Sequence, residues 1–120
     1  MTKPLVLLDY NGTVHAYREG WKKGMPAYDD PTPGFGDWVR SLNDEFRIAI
    51  YPARLNSPIE LRYIKGWLHQ HHLDRLGLEL VDHIPIGVKV KIDDRALHYG
   101  GDWSEFPAER LRSFKTWSGR

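Results

Sequence analysis

Leu5-Val6-Leu7-Leu8-Asp9-Tyr10-Asn11-Gly12-Thr13 is the stretch whose reading decides the fold. Four apolar residues follow Pro4 without interruption and stop abruptly at Asp9. An unbroken apolar run of strand length describes a parallel strand buried on both faces. Towards the other end of the chain, Val88, Val90 and Ile92 alternate with Lys89 and Lys91 until Asp93-Asp94 ends the run. That alternation describes a strand with one wetter side, and there Lys89 and Lys91 form the exposed or cleft-facing row of an edge-type strand.

Between these strands the pattern alternates. Residues 10–33 carry Gly, Pro and scattered charges without a clear period, which predicts a long loop of functional length. Thr32-Pro33 then reads as an N-cap and first-turn pair, followed by Phe35, Trp38, Val39 and Leu42 at helical spacing. Residues 46–51 form a short β-compatible run that ends at Pro52. Ser57-Pro58-Ile59-Glu60 combines a capping box with Pro at the first helical position, and Leu61, Ile64, Trp67 and Leu68 give the helix a buried stripe. Residues 78–81 are a weaker strand candidate. A last helix is expected over 107–117 with Leu111 and Phe114 inward, and Asp102 is a candidate cap for it. The five Trp residues are expected mainly in the core, with Trp21 in the long loop as the one placed to meet a substrate. Alternating strands and helices imply an α/β fold with a mostly parallel sheet.

Composition narrows the function. The 120 residues suit one domain, spanning 1–120. With 17 Lys and Arg against 16 Asp and Glu, a formal charge of +1 gives no electrostatic basis for non-specific binding to nucleic acid or to a membrane surface. The absence of Cys excludes disulfides, thiolate zinc sites and a Cys nucleophile, and fits a reducing, cytoplasmic setting. No apolar stretch resembles a signal peptide or a spanning helix. His69, His71 and His72 lie in a polar helix end and read as surface residues rather than metal ligands.

Parallel sheets bind ligands at the carboxyl ends of their strands. Two of the expected strands end in carboxylates, Asp9 on one and Asp93-Asp94 on the other. Converging carboxylates repel unless a cation or a proton compensates. Oxygen-only donors favour Mg²⁺, with Mn²⁺ as a substitute. Mg²⁺ typically takes one or two carboxylates, keeps several waters and accepts a substrate phosphate.

These residues resemble the haloacid dehalogenase-like superfamily of phosphohydrolases and phosphotransferases. Leu7-Leu8-Asp9-Tyr10-Asn11-Gly12-Thr13 is similar to its first motif, and Val90-Lys91-Ile92-Asp93-Asp94-Arg95-Ala96 to its acidic fourth motif. Gly20-Trp21-Lys22, Pro31-Thr32-Pro33-Gly34, Gly100-Gly101-Asp102-Trp103 and Phe114-Lys115-Thr116-Trp117 resemble a compact bacterial and phage-type branch without a large cap domain. The resemblance implies a Rossmann-like three-layer α/β/α sandwich and a Mg²⁺-dependent phosphohydrolase or phosphotransferase. In such an enzyme Asp9 would be the nucleophile that forms an aspartyl-phosphate, acting on a small phosphorylated substrate. Asp9, the Asn11 carbonyl, Asp93 and Asp94 would hold the metal.

The sequence departs from that pattern in three places. Asn11 stands where the family has an acid/base carboxylate, and its amide cannot shuttle a proton. Pro52, or Ala53, stands where a Ser or Thr hydroxyl belongs, and Pro85 where a Lys belongs. Arg54 is a candidate phosphate contact and Lys89 or Lys91 a substitute cation. The intact Asp9, Asp93 and Asp94 favour an enzyme, weakened by these departures, whereas the departures themselves favour the alternative, a metal-binding pseudo-enzyme with a binding or regulatory role. The Ile-Asp-Asp-Arg context also resembles phosphatases that act on polynucleotide ends.

Overall fold

The computed structural model describes residues 2–22, 27–52 and 58–117. Four strands, β1 (Leu5–Asp9), β2 (Arg47–Tyr51), β3 (Glu79–Leu80) and β4 (Val88–Ile92), form one sheet in the order β3-β2-β1-β4. Every pairing is parallel. Helix α1 (Phe35–Ser41) joins β1 to β2, α2 (Pro58–Gln70) leads from β2 towards β3, and a short α3 (Ala108–Arg112) follows β4. This is a small α/β fold, as the apolar run at β1 implies.

Strand β1 is central, and Leu5 to Leu8 are all buried. Val6 and Leu8 share one face with Ile48 and Ile50, and both long helices pack there through Phe35 and Val39 of α1 and Ile64, Trp67 and Leu68 of α2. The opposite face gathers Leu5, Leu7 and Ala49, flanked by Tyr51, Val81 and Val88. The link from β3 to β4 crosses from one sheet edge to the other within residues 81–87. Three strand spacings amount to about 14 Å, which seven extended residues can span without a helix.

Several local expectations are corrected. Thr32 does not cap α1: Gly34 does, at φ 83°, and the Thr32 hydroxyl instead donates to the Thr13 carbonyl at 2.7 Å. A left-handed backbone at that position suits glycine, which has no Cβ penalty. The Ser57 half of the second capping box lies outside the described residues. On β4, the register passes from Leu5↔Val88 to Val6↔Val90, so one residue is extra on that strand. This bulge sends Val88 to one face of the sheet and Val90 and Ile92 to the other, which simple alternation does not anticipate.

The last helix is shorter than expected. Leu111 is exposed, and Phe114 lies beyond the helix and is half-buried. Leu111 is the only large apolar residue in α3, so the helix has no stripe to bury. Asp102 caps a separate turn over 103–105, accepting from the Ser104 amide at 2.9 Å. Of the five Trp residues Trp67 alone is fully buried, Trp38 is half-buried, and Trp21, Trp103 and Trp117 are exposed. His69 and His72 are exposed and His71 rests against Trp67, so this group stays at the surface. No helix among the described residues is long and apolar enough to cross a membrane.

Candidate metal centre

The order β3-β2-β1-β4 puts β2 on one side of β1 and the last strand on the other. The carboxyl ends of β1 and β4 therefore lie side by side, at the edge of the sheet where open parallel sheets hold ligands. Asp9 closes β1, and Asp93 and Asp94 follow β4 directly. One carboxylate oxygen from each of the three lies within 4.8 Å of the others. Two ligands on opposite sides of a small hard dication at 2.0–2.1 Å stand about 4.1 Å apart, so modest side-chain rotation closes this set on an ion.

The electrostatics bear on the same point. Burial pushes the Asp9 carboxyl up to about 6, and the neighbouring Asp93 and Asp94 carboxylates add to the rise, against opposing pulls from the Tyr10 backbone amide and Lys91. Ionised and without a cation, Asp9 is thus at a disadvantage that a dication would remove. Asp93 is oriented locally, one oxygen accepting from the Arg95 amide at 2.8 Å and the other lying 3.4 Å from the Lys91 ammonium. Of the two lysines on β4, Lys91 is therefore the one that meets the cluster. Lys89 is exposed and stands two residues upstream, about 6.6 Å back along the strand. Arg54, the candidate phosphate contact, and Ala53 lie outside the described residues. Pro52 is buried at the end of β2, and Pro85 sits in the link between β3 and β4.

The loop after Asp9 holds the first carboxylate firmly. The Tyr10 carbonyl accepts from the amides of Val14 and His15 at 3.0 and 2.9 Å, and Gly12 turns at φ 83°. Ala16 then donates to Asp30 and Thr32 to Val14, both at 2.8 Å, so residues 14–16 and 30–32 are stitched together as a return of the chain. Asn11 sits inside this turn. Its side-chain oxygen is buried and makes no hydrogen bond, and the same holds for the Thr13 hydroxyl. Buried polar atoms left unsatisfied cost stability and commonly mark where an ion, water or ligand belongs.

Two contributors are not evident from the sequence. His15 is completely buried, stacks on Tyr10 with ring centroids 5.1 Å apart, and accepts from the Asp29 amide through Nε2 at 2.9 Å. That bond makes Nε2 an acceptor, so the neutral ring carries its proton on Nδ1. Trp67 donates to the Asp29 carbonyl at 2.7 Å, tying α2 to the same loop. The run Val14-His15-Ala16-Tyr17, apolar apart from one imidazole, was the only available signal for a buried loop. The second contributor is Trp117, whose indole donates to the Gly12 carbonyl at 2.6 Å and brings the segment after α3 over the crevice.

A cavity of about 340 Å³ opens beside the carboxylates, lined by Asp93, Asp94, Gly12, Ile92 and Trp117 among others. A second, of about 290 Å³, shares Thr13, Thr32, Pro33 and Ile92 with it and continues to Phe35 and Trp38. Comparison with family models, curated proteins and solved structures returns no match.

Proposed function

We propose that the chain is a haloacid dehalogenase-like phosphohydrolase that works through Asp9, with Asp9, Asp93 and Asp94 holding Mg²⁺. The observation that carries this reading is the meeting of three carboxylates from the ends of two adjacent parallel strands, with Asp9 pushed towards neutrality by burial and by the other two. On this reading the sheet is the centre of a Rossmann-like three-layer fold without a large cap. The metal would shield the negative charge shared by the phosphoryl group and the carboxylates. Asp9 attacks phosphorus, the bond to the leaving oxygen breaks, and water later cleaves the aspartyl-phosphate to release phosphate and the carboxylate. Lys91 supplies positive charge on the phosphoryl side of Asp93. Asn11 offers a carbonyl to the metal but no proton to the leaving group.

The last point favours a second reading, a metal-binding pseudo-enzyme, because Asn11, Pro52 and Pro85 all replace groups that would act on the phosphoryl transfer. One experiment separates the two. Release of phosphate from 4-nitrophenyl phosphate is measured with Mg²⁺ and with chelator, for the parent protein and for Asp9→Asn, alongside thermal melts. Mg²⁺-dependent turnover that Asp9→Asn abolishes without loss of fold is the expected result. A Mg²⁺-induced rise in melting temperature without turnover supports the pseudo-enzyme, and no thermal response at millimolar Mg²⁺ removes both.

A further inference from the structure

We infer that the cavity beside the carboxylates is a subsite for an aromatic leaving group, which makes aryl phosphates the substrate class of this site. The inference rests on the phosphohydrolase reading and deepens it. Trp117 is 59% exposed, yet it is fixed by its hydrogen bond to the Gly12 carbonyl and forms a wall of the cavity that Asp93 and Asp94 also line. An indole held at a mouth without being buried in the core offers a flat face to a ring. Pro33 and Ile92 add apolar surface to the same cavity, and Ile92 is 39% exposed although its β1 partner Leu8 is buried. Thr13, whose hydroxyl is buried without a hydrogen bond, lies where the two cavities meet. The space thus combines carboxylates with aliphatic and indole surface, and it suits a molecule that is charged in one part and flat and apolar in another.

The chemistry of the leaving group points the same way. As Asp9 attacks, the electron pair of the breaking phosphorus–oxygen bond passes to the leaving oxygen, which must be protonated or stable as an anion. Asn11, two residues after Asp9 and with its side-chain oxygen buried, has no proton to transfer. A phenol ionises near pH 10, as the tyrosine side chain does, whereas an aliphatic alcohol ionises several units higher. A phenolate therefore leaves without a general acid and takes its proton from water afterwards. Water then attacks phosphorus, the bond to Asp9 breaks, and phosphate and the free carboxylate are regenerated.

The test uses three phosphate monoesters with Mg²⁺: 4-nitrophenyl phosphate, benzyl phosphate and glycerol 3-phosphate. The first two share a ring, and the last two share an aliphatic leaving oxygen. The expected order of kcat/KM is aryl, then benzyl, then glycerol. Trp117→Ala should raise KM for both ring substrates roughly 5- to 100-fold, the range of a lost base–aromatic stack, and raise it much less for glycerol 3-phosphate, which shares only the loss of the tether to Gly12. Trp117→Phe loses the bond to Gly12 but keeps a ring, so it should retain most of the preference if stacking matters and lose it if only the tether does. Equal kcat/KM for the aryl and glycerol esters, or an equal rise in KM for all three in Trp117→Ala, overturns the inference. If no ester is turned over, the hydrolase reading fails by itself, and 4-nitrophenol is titrated into the parent protein and Trp117→Ala by NMR. Binding to the parent that the alanine variant loses keeps the ring subsite, and its absence at millimolar 4-nitrophenol rejects it.

Discussion

Residues 10–17 and residues 93–117 both follow a strand that delivers carboxylates to the crevice, and neither is mostly regular structure, yet they pack in opposite ways. In the first, Tyr10, Val14, His15 and Ala16 are at most 1% exposed, as deeply buried as the sheet itself. In the second, Tyr99, Trp103, Leu111 and Trp117 are about half exposed or more, and α3 contributes no buried residue. Tyr99, Trp103 and Phe106 stack mainly on one another. The carboxylate cluster is therefore built from one carboxylate on a rigid support and two on the rim of a lightly anchored segment. Trp117 and the neighbouring buried Thr116 are where that segment returns to the body. Asp9 is thus held by a buried loop, while Asp93 and Asp94 stand at the start of a segment with few buried residues.

Truncation of each side gives the widest contrast. Tyr10→Ala should cost about 3–5 kcal/mol in denaturant unfolding, because it opens a cavity where Trp67 and His15 meet the ring. Trp103→Ala, at 75% exposure, should cost within about 0.5–1 kcal/mol. Comparable losses would break the contrast between the two regions. A sharper probe is Tyr10→Phe. The Tyr10 hydroxyl is buried without a hydrogen bond, and burial holds its pKa far above the ordinary value. Its removal should be neutral or stabilise the protein by up to about 1 kcal/mol. A clear loss of stability would mean that the hydroxyl has a partner, such as a bound water.

The same contrast explains what could be read in the sequence. The apolar run Leu5-Val6-Leu7-Leu8 and the stripe Ile64, Trp67, Leu68 were legible because burial on a regular element leaves a period. Asp9, Asp93 and Asp94 were legible because carboxylates at strand ends stand out against the apolar residues before them. His15 was not, because a loop buried through hydrogen bonds to its own backbone leaves no period. Leu111 and Trp117 misled in the other direction: apolar residues suggest a core, but nothing in their spacing shows whether another element is close enough to cover them. The bulge between Val88 and Val90 was hidden for a similar reason, since an extra residue in one strand is defined only by its partner.

The next effect lies in the rate. Asn11 belongs to the rigid side, so an added carboxylate there would be held in place rather than left to wander. Asn11→Asp should raise hydrolysis of benzyl phosphate by about 10²-fold, the lower end of what a positioned acid or base contributes, because Pro52 and Pro85 still leave the phosphoryl group poorly held. The gain on 4-nitrophenyl phosphate should be smaller, since that leaving group needs little help. Equal gains on both esters would mean that the new carboxylate acts through the metal rather than by transferring a proton.

The last effect is on stability against pH, and it isolates Asp9. Its carboxyl titrates near 6 in the folded protein, above its ordinary value of 3.8. The folded state therefore holds this proton more tightly than the unfolded chain does. The stabilisation from the neutral form is fully present below about pH 3.8 and is lost as pH rises through 6, the direction opposite to that of a salt-bridged carboxylate. Because Asp9 keeps some contact with water, the loss should be on the order of 1–2 kcal/mol, less than the full shift implies. Thermal melts in chelator from pH 4.5 to 8 should show it, and the difference between the parent protein and Asp9→Asn removes the contribution of other titrating groups. Without metal, the variant should be the more stable of the two at pH 7 and nearly equal to the parent at pH 4.5. Millimolar Mg²⁺ should then restore the parent at pH 7, where the carboxylate is ionised and can bind, and have little effect at pH 4.5. A parent-minus-variant difference that does not change with pH would show that Asp9 feels neither burial nor its two neighbours. In that case Asp9 stands in water and away from both neighbouring carboxylates in solution, and the cluster does not hold together without an ion.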